Sequence, residues 1–541
     1  MGLTIELVLV IVAVLLILSI GSTRFSNRLG VPALVLFLLI GMLAGSDGLG
    51  GIAFSDAWAA QAVGVVALVF ILFSGGLDTD WRQIRPVLVP GLVLANLGVV
   101  LSAILVGGFA VLVLGFSPLT GLLLGSIVSS TDAAAVFAVL RTRGSHLRGN
   151  LEPLIELESG SNDPIAVFLT LGIIGVLTNP GASIISLVPS FLLQMTLGVL
   201  CGVGMGWLMA SILNRARLQQ EGLYPVFTIG LVALTYGATA LVGGNGFLAV
   251  YLAGIVLGNR HFIHKRSIVR FHEGTAWLMQ IVMFLTLGLL VFPSQLPPVA
   301  GSGLAVALFL AFVARPVSVL IALAWTPLTL ADKLMVSWAG LRGAVPIVLA
   351  TFPLLAGVPE APVIFNVVFF AVLVSVLLQG TTIGWVARRL GVNVDRGQPL
   401  SELHNFVPDV RLTSRLREMH VPPGSALVGR SIIDLKLPRG ALVVQIQRDD
   451  EAIVPSGATT LAAGDRLLLL ATPEVMQQLQ TLCAHNNAQL VSADGEQGEL
   501  LPPPADGEQG VLRPAPANGV HDERPAAAAE QEQLSVAGGR R

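Results

Sequence analysis

Thirteen apolar segments dominate the first 390 residues, and each approaches the length that a helix needs to cross a lipid bilayer. They lie near residues 4–21, 31–46, 59–76, 86–115, 118–140, 152–177, 184–213, 223–241, 244–258, 275–292, 299–325, 333–356 and 361–387. Charged residues make up 12% of the chain, against about 25% in ordinary soluble domains, and the mean hydropathy is +0.80. The chain is therefore predicted to be a polytopic membrane protein embedded in a lipid bilayer.

The distribution of lysine and arginine between the loops provides a test of whether there are thirteen membrane spans. The first 390 residues contain 18 of them, and Arg315 and Arg342 lie inside apolar segments. If the N-terminus is outside, the remaining 16 all fall on the cytoplasmic side: Arg24, Arg28, Arg82, Arg85, Arg141, Arg143, Arg148, Arg215, Arg217, Arg260, Lys265, Arg266, Arg270, Lys333, Arg388 and Arg389. One segment more or fewer would destroy this partition, so the positive-inside rule supports thirteen spans with a cytoplasmic C-terminus. The first segment lacks a preceding basic residue and a cleavage site, so we expect a retained helix.

Thirteen segments divide into six, a linker and six, an arrangement typical of transporters with two inverted repeats. Glycines of the second segment recur in the ninth at a spacing of 213 residues: Gly30, Gly41 and Gly45 match Gly243, Gly254 and Gly258. The same spacing relates Ser129 to Arg342, and both lie in segments predicted to be broken, GSIVSSTDAAAVF and WAGLRGAVPIV. Small residues also recur wherever membrane helices pack closely, so the glycines alone leave the repeat open.

The composition changes after residue 390. Residues 403–485 are predicted to form a small soluble α/β domain, with strands in GALVVQIQR and GDRLLLLATP and a helix in PEVMQQLQTL. Residues 490–541 are rich in Ala, Pro, Gly and Glu, repeat the motif ADGEQG and are predicted to be a disordered tail. Cys201 and Cys483 form no disulfide or metal-binding pattern, and the net charge of −2 gives no indication of a nucleic-acid partner.

A polar stretch, ELESGSNDP at 156–164, interrupts the sixth segment. Residues four apart share a helix face, so Ser159 and Asp163 form one polar stripe and Glu158 and Asn162 an adjacent one. A carboxylate at mid-membrane costs roughly 2.5–3.5 kcal/mol and needs a compensating partner. We expect Arg342 to pair with one of these acids.

A purely structural ion-pair network is one interpretation of these groups. However, Asp132, Glu158 and Asp163 outnumber Arg315 and Arg342, which leaves at least one carboxylate without a fixed cation. Such a carboxylate must hold either a proton or a small cation, and this competition is the chemistry of an antiporter.

The oxygen-bearing residues near the first predicted break suit a hard cation. Unwound backbone at mid-depth offers carbonyl oxygens to an ion and exposes half-helix ends. Thr131, Ser159, Asn162 and Asp163 add oxygen ligands without an imidazole or a thiolate, which argues against a transition-metal carrier. We find no nucleophile–base pair and no phosphate loop, so neither an enzyme nor a resident cofactor is predicted. Four histidines, His146, His261, His264 and His272, are interpreted as solvated loop residues in preference to a pH sensor.

Three motifs, SSTDAAAVF, ESGSNDPIAV and GLRGAVPIV, resemble those of NhaP-type members of the monovalent cation:proton antiporter superfamily. The resemblance covers nearly all of residues 1–390. It implies an all-α polytopic bundle of about 13 transmembrane helices, in two inverted six-helix repeats with crossed broken helices. It further implies a homodimer in the inner membrane of a bacterium.

The same resemblance assigns roles to site residues. It implies that Ser159 and Asp163 bind the ion or proton, with Asn162 beside them. Thr131 would supply an oxygen to a monovalent cation held at Asp163 and Ser159. Asp132 belongs to the same set and supports the crossing of the broken helices. Glu158 and Arg342 would form a structural ion pair. Many relatives carry an acid where this chain has Ser74, so that ligand is in question.

Residues 403–485 resemble the C-terminal lobe of potassium-conductance regulators, known as RCK-C or TrkA-C. The markers are G-S-x-L-V-G-x-S at 424–431 and L-P-R-G at 437–440, and no dinucleotide-binding glycine motif precedes them. Potassium/proton antiporters of the NhaP and CvrA kind carry this lobe. The resemblance thus favours potassium and implies a small-molecule, nucleotide-type regulator.

The resulting hypothesis is an antiporter that exchanges cytoplasmic potassium for external protons by alternating access around Asp163. We expect electroneutral exchange, because Asn162 leaves Asp163 as the acid that titrates. A sodium-preferring exchanger of the same fold is the first alternative. A ligand-gated potassium channel would need a carbonyl-lined filter, which the sequence lacks. A receptor would leave the mid-membrane carboxylate unexplained.

Overall fold

The computed structural model describes residues 4–29, 32–142, 146–179, 181–216, 218–394, 415–425, 427–435, 437, 441–448, 451–471, 475, 477 and 479. The α-helices are α1 (Ile5–Leu29), α2 (Ala33–Ala44), α3 (Ala57–Asp78), α4 (Trp81–Ile84), α5 (Leu88–Val93), α6 (Val99–Leu114), α7 (Pro118–Ile127), α8 (Ala133–Thr142), α9 (Leu151–Thr178), α10 (Leu187–Arg215), α11 (Leu223–Leu241), α12 (Gly246–Gly258), α13 (Lys265–Leu290), α14 (Leu296–Phe309), α15 (Arg315–Ala322), α16 (Leu330–Trp338), α17 (Ala344–Leu355), α18 (Ala361–Ser375) and α19 (Thr381–Arg389). Short 3₁₀ turns at Arg85–Val87, Ile184–Ser186 and Pro293–Gln295, and π-helical turns at Leu94–Gly98, Leu310–Ala314 and Val376–Gly380, join some of them.

Each of the thirteen predicted segments contains helix. Within the described part of the chain, nine helical stretches of 19 to 34 residues are long and apolar enough to cross a membrane. Two further segments are the short single helices α2 and α12, and two are pairs of half-helices, α7 with α8 and α16 with α17. The predicted number of apolar segments and the two predicted breaks are thus confirmed.

Each break spans five residues, 128–132 and 339–343. The first contains Ser129, Ser130, Thr131 and Asp132, whose short polar side chains compete with the helical hydrogen bonds of the backbone. The second contains two glycines around Leu341 and Arg342, and glycine disfavours a helix interior by about 1 kcal/mol relative to alanine. Both sequences therefore disrupt their helices locally.

The two halves of the bundle interlock reciprocally. A Cβ added at Gly41 of α2 would lie 3.0 Å from the Cα of Gly288 in α13, and one added at Gly254 of α12 would lie 3.1 Å from the Cα of Gly76 in α3. The short helix α2 of the first half therefore packs on α13 of the second half, and the short helix α12 of the second half packs on α3 of the first.

Two further features relate the halves. The π-helical turns Leu94–Gly98 and Leu310–Ala314 occupy corresponding segments. Ser102 donates a hydrogen bond to Ser318 at 3.1 Å, and these residues are 216 positions apart, the same spacing as the two π-helical turns. Such a contact between corresponding residues is expected at a pseudo-two-fold axis, so the structure supports the predicted repeat.

Contacts between loops show which loops lie at the same end of the bundle. At the end with the basic loops, the Asn259 side chain accepts from the Trp81 N–H at 2.9 Å, and Arg148 Nη2 lies 2.9 Å from Asp332 Oδ1. Strands β1 (His146–Leu147) and β2 (Asn393–Val394) pair antiparallel at the same end. At the opposite end, Ser294 donates to Asp47. Loops predicted to share a side are thus neighbours, as alternating spans require.

The interpretation of His272 as a solvated loop residue is wrong. It lies in α13, is fully buried and places Nε2 2.7 Å from Thr228 Oγ1. Its ring also packs edge-on against Phe73, with 4.9 Å between ring centroids. The predicted segment began at residue 275, where the apolar residues begin. The helix starts ten residues earlier, at Lys265, and therefore includes His272.

The chain divides between residues 399 and 400 into two compact units. The second contains an antiparallel sheet of strands β3 (Arg415–His420), β4 (Leu442–Arg448), β5 (Glu451–Ile453) and β6 (Arg466–Ala471), in the order β3-β6-β4-β5. Both predicted strands are confirmed as β4 and β6. The predicted helix at 473–482 lies largely outside the described residues, and the predicted tail at 490–541 lies wholly outside them.

An ion pair with one buried partner stabilises this sheet. Asp465 is fully buried, and Arg448 donates to both of its carboxylate oxygens at 2.8 Å. Burial by itself would raise the pKa of Asp465, but hydrogen bonds from Arg448 and from the Ala462 N–H outweigh it and hold the pKa below its usual value. The pair ties β4 to the turn before β6.

Candidate functional site

The two helix breaks cross and hydrogen-bond to each other. The Asp132 N–H donates to the Leu341 carbonyl at 2.8 Å. Arg342 Nη1 donates to the carbonyls of Ser129 and Ser130, both at 2.6 Å. Each break therefore satisfies backbone groups that the other leaves without a helical partner.

The charged side chains at the crossing match the half-helix dipoles. Arg342, only 1% exposed, lies at the C-terminal end of α7, where the helix dipole is negative. The Asp132 carboxylate accepts from the Ala135 N–H at 3.1 Å at the N-terminus of α8, where the dipole is positive. Gly343 allows this approach, because a Cβ there would overlap the Asp132 carboxylate.

The polar face of α9 packs against the first break. Ser159 Oγ donates to the Thr131 carbonyl at 2.8 Å and accepts from the Ala133 N–H at 2.9 Å. Asn162 Nδ2 donates to Thr131 Oγ1 at 2.6 Å. These bonds hold the unwound backbone on α9, so Ser159 and Asn162 position the break.

Asp163 differs from its neighbours because its partner is a neutral hydroxyl. Its side chain is 8% exposed, and Oδ1 accepts from Ser130 Oγ at 2.7 Å. Asp163 also lines a cavity of about 560 Å³, which we call the acidic cavity. Its lining includes five carboxylates and neither lysine nor arginine among the described residues: Asp78, Asp132, Glu156, Asp163 and Glu273.

The acidic cavity extends toward the end of the bundle that carries the basic loops. Asp78 ends α3 at that end, and Glu156 and Glu273 lie in the parts of α9 and α13 nearest to it. Asp163 lies two helical turns deeper than Glu156. The cavity thus connects the deepest acid with one side of the bundle.

The expected Glu158–Arg342 ion pair is wrong. Glu158 instead pairs with Arg315, with Nη1 2.6 Å from Oε1 and Nη2 donating to Oε2 at 2.7 Å. Both side chains are almost fully buried. Arg342 instead donates to the carbonyls at the end of α7. Arg315 directly follows the π-helical turn Leu310–Ala314, and its side chain reaches Glu158.

The structure brings Thr131, Asp132, Ser159, Asn162 and Asp163 together at one crossing, as predicted. Ser74, where relatives often carry an acid, is buried in α3 but is not among the described residues that line the acidic cavity.

Two residues at the site were not predicted from the sequence. Ser130, in the same motif as Thr131, hydrogen-bonds Asp163, and helical spacing gives no indication of side-chain direction inside an unwound stretch. Tyr251 comes from α12 in the other half, so no local pattern connects it to the site.

Comparisons with known proteins agree with this architecture. Residues 12–389 match the family model "Sodium/hydrogen exchanger, transmembrane", and residues 416–484 match the TrkA-C domain. The chain is similar to a solved sodium proton antiporter, MjNhaP1 of Methanocaldococcus jannaschii, with a TM-score of 0.61, 24% identity and coverage of 70% of this chain and 97% of that one. At that identity the likeness concerns the fold.

Curated relatives are more similar in sequence. The chain is 40% identical over 488 residues to the K(+)/H(+) antiporter NhaP of Alkalimonas amylolytica, covering 89% of this chain and 84% of the relative. It is 39% identical over 487 residues to the K(+)/H(+) antiporter NhaP2 of Shewanella sp. (strain ANA-3), covering 87% and 82%. The chain therefore belongs to the sodium/hydrogen exchanger family, whose members are multi-pass membrane cation/proton antiporters and not enzymes.

Proposed function

We propose that this protein exchanges cytoplasmic potassium for external protons, with Asp163 as the group that binds them in turn. The supporting observation is the contrast between two buried acids on α9. Glu158 faces a guanidinium at 2.6 Å, whereas Asp163 accepts from a serine hydroxyl and faces the acidic cavity. A carboxylate without a fixed cation in an acid-lined cavity is suited to bind either a proton or a monovalent cation.

Oxygen atoms around Asp163 complete the proposed cation site. Thr131, Ser159 and Asn162 lie at the same crossing and offer hydroxyl, carbonyl and amide oxygens. Oxygen atoms are the ligands that replace the hydration shell of an alkali cation. Several of them are engaged in hydrogen bonds with one another, so binding requires local rearrangement of the crossing.

The relatives that align with this chain over most of their length favour potassium over sodium as the exchanged cation. The alignments with the two relatives described above cover 82–84% of their length at 39–40% identity, and both relatives are named K(+)/H(+) antiporters. The TrkA-C domain that follows the membrane unit supports the same choice.

The proposed orientation places the N-terminus outside and the C-terminus in the cytoplasm of a bacterial inner membrane. The basic loops, which contact one another at one end of the bundle, support it through the positive-inside rule. The acidic cavity then opens toward the cytoplasm, and transport proceeds by alternating access as the crossed half-helices move relative to the other half. The working unit is a homodimer, and the TrkA-C domain binds a small regulatory ligand.

Cation-induced proton flux in inverted membrane vesicles tests the proposal. We expect wild-type vesicles to respond to potassium more strongly than to sodium, and Asp163→Asn to abolish the response to both. The amide retains the shape of the side chain but cannot alternate between a proton and a cation. Glu6→Gln, at an exposed position of α1, is the control and retains wild-type flux. Normal flux in an inserted Asp163→Asn protein contradicts the proposal.

A further inference from the structure

Tyr251 presents a buried hydroxyl without a hydrogen-bond partner beside the acidic cavity. The side chain is 3% exposed and lines the cavity, and its Oη makes no hydrogen bond of normal length to a described residue, although the Thr79 hydroxyl lies close to it. A buried hydroxyl without a partner is costly, because it has lost its hydrogen bonds to water and gained none in the fold. An arrangement that keeps such a group next to a polar cavity indicates a ligand that the structure does not contain.

The position of this hydroxyl is determined by close helix packing. A Cβ added at Gly160 of α9 would overlap the ring and hydroxyl of Tyr251, so the tyrosine lies directly over the Gly160 backbone. Glu156 lies one turn below Gly160 on α9, and Asp163 lies about one turn above it. Gly254 and Gly76 hold α12 against α3 and leave Tyr251 little freedom to move. The hydroxyl therefore lies between Glu156 and Asp163.

A third oxygen lies next to Glu156. Thr79 is buried at the end of α3, and its hydroxyl is 2.8 Å from both Glu156 Oε1 and the Gly75 carbonyl. Since a hydroxyl donates only one proton, it serves one of these acceptors at a time and keeps lone pairs for another group. Thr79 is held in place by Asn259, which donates to the Thr79 carbonyl at 2.8 Å.

We propose that Glu156, Thr79 and Tyr251 form a second binding site for a monovalent cation, which a cation occupies on its way between the cytoplasm and Asp163. We call it the transit site. It rests on the proposed function. The carboxylate supplies the charge, the two hydroxyls supply neutral oxygens, and water completes the coordination.

The surroundings of the transit site suit this role. Asp78 and Glu273 line the mouth of the same cavity, and a cleft lined by one sign of charge concentrates counter-ions. On the deeper side, Pro164 has no N–H, so the Gly160 carbonyl lacks the usual intrahelical donor from that position. An ion leaving the transit site therefore meets a further oxygen before it reaches Asp163.

Transport kinetics distinguish this site from general attraction by the cavity. In inverted vesicles the cytoplasmic side faces the medium, so the KM for cytoplasmic potassium is measured directly. We expect Glu156→Gln and Tyr251→Phe each to raise this KM about tenfold while kcat changes by less than about twofold. Glu273→Gln removes the same charge elsewhere in the cavity, and Tyr236→Phe removes a hydroxyl outside it. Both controls should change KM by less than about twofold at an ionic strength that screens long-range attraction.

Thallium(I), a heavy analogue of potassium, provides a direct readout. Anomalous scattering from thallium-soaked crystals of the full chain should show one ion beside Glu156 and Tyr251 and another beside Asp163. In Asp163→Asn the ion at Glu156 should remain while exchange is lost, which separates this proposal from the function on which it rests. A KM unchanged in both Glu156→Gln and Tyr251→Phe, an equal rise in Glu273→Gln, or the absence of thallium beside Glu156 overturns the transit site.

Discussion

Glu158 and Asp163 lie five residues apart on α9 and have opposite electrostatic surroundings. The bidentate contact with Arg315 gives Glu158 a fixed cationic partner and leaves it no room for a second cation. Asp163 has only the Ser130 hydroxyl and an opening to the acidic cavity. Because their neighbours differ, we propose that Glu158 is a structural group and Asp163 the exchanging group.

The ion pair should behave as a buried structural contact. We predict that Glu158→Ala or Arg315→Ala lowers the free energy of unfolding by about 3–5 kcal/mol, because each leaves the other charge buried without its partner. Thermal stability of purified protein in detergent measures this effect. The double variant Glu158→Leu/Arg315→Leu should be more stable than either single variant, since no unpaired charge remains.

A more exposed pair serves as the comparison. Arg148, which is 42% exposed at its side chain, contacts Asp332, and Arg148→Ala should cost less than about 1 kcal/mol. If the Glu158→Ala and Arg315→Ala proteins melt at the wild-type temperature, the pair does not stabilise the fold.

At the scale of helices, the crossing depends on how closely the two breaks approach. The Asp132 N–H bonds to Leu341, and Arg342 bonds to Ser129 and Ser130, so neither break can shift without loss of contacts to the other. A side chain larger than hydrogen at the contact point would force the half-helices apart. Gly343 lies at that point.

We predict that Gly343→Ala abolishes exchange while the protein still inserts and remains monodisperse in detergent. The added methyl group would overlap the Asp132 carboxylate and displace the crossing near Asp163. Gly237→Ala is the matched control, because a Cβ at that position of α11 meets no atom within 4 Å. Wild-type flux in Gly343→Ala would show that the crossing tolerates a wider separation than the structure indicates.

For the molecule as a whole, the number of titrating acids sets the charge moved in each cycle. Asp163 has a neutral neighbour in Asn162, and Glu158 is paired with Arg315. Asp132 accepts a hydrogen bond from the Ala135 N–H at the positive end of α8. We therefore propose that Asp163 is the one acid that exchanges a proton for a cation.

We predict that a membrane potential imposed on vesicles leaves the equilibrium ratio of the ion gradients unchanged, as electroneutral exchange requires. A fluorescent pH indicator inside potassium-loaded vesicles measures this ratio, with the potential set by the gradient of a permeant lipophilic ion that the protein does not exchange. A shift of the equilibrium with voltage would identify Asp132 as a second proton carrier, and Asp132→Asn should then remove the shift.

The two compact units make a further prediction at this scale. All the residues proposed to bind ions precede residue 343, and the sheet of the second unit has its own apolar core. Deletion of 403–485 should therefore leave exchange active and change only its regulation, measured as flux over a range of cytoplasmic pH. Complete loss of flux in a well-expressed deletion would place the second unit within the transport machinery.

Local sequence was sufficient for much of this architecture. The lengths of the apolar segments and the partition of basic residues predicted thirteen spans, because both depend on the bilayer and not on neighbouring helices. The breaks followed from the residues SSTD and GLRG, whose effect on a helix is local. The polar stripe of α9 followed from helical spacing, which brought Ser159, Asn162 and Asp163 to the first break.

Only the tertiary structure decided which partners these groups have. The choice between Arg315 and Arg342 for Glu158 depends on a π-helical turn in α14–α15 and on the angle at which the breaks cross, and neither is encoded in residue spacing. The place of Tyr251 likewise depends on how α12 packs against α3 and α9. Sequence therefore determined which residues lie at the depth of the site, since depth follows from position along a helix. The three-dimensional fold decided which of them are paired and which face the cavity, since that follows from contacts between distant helices.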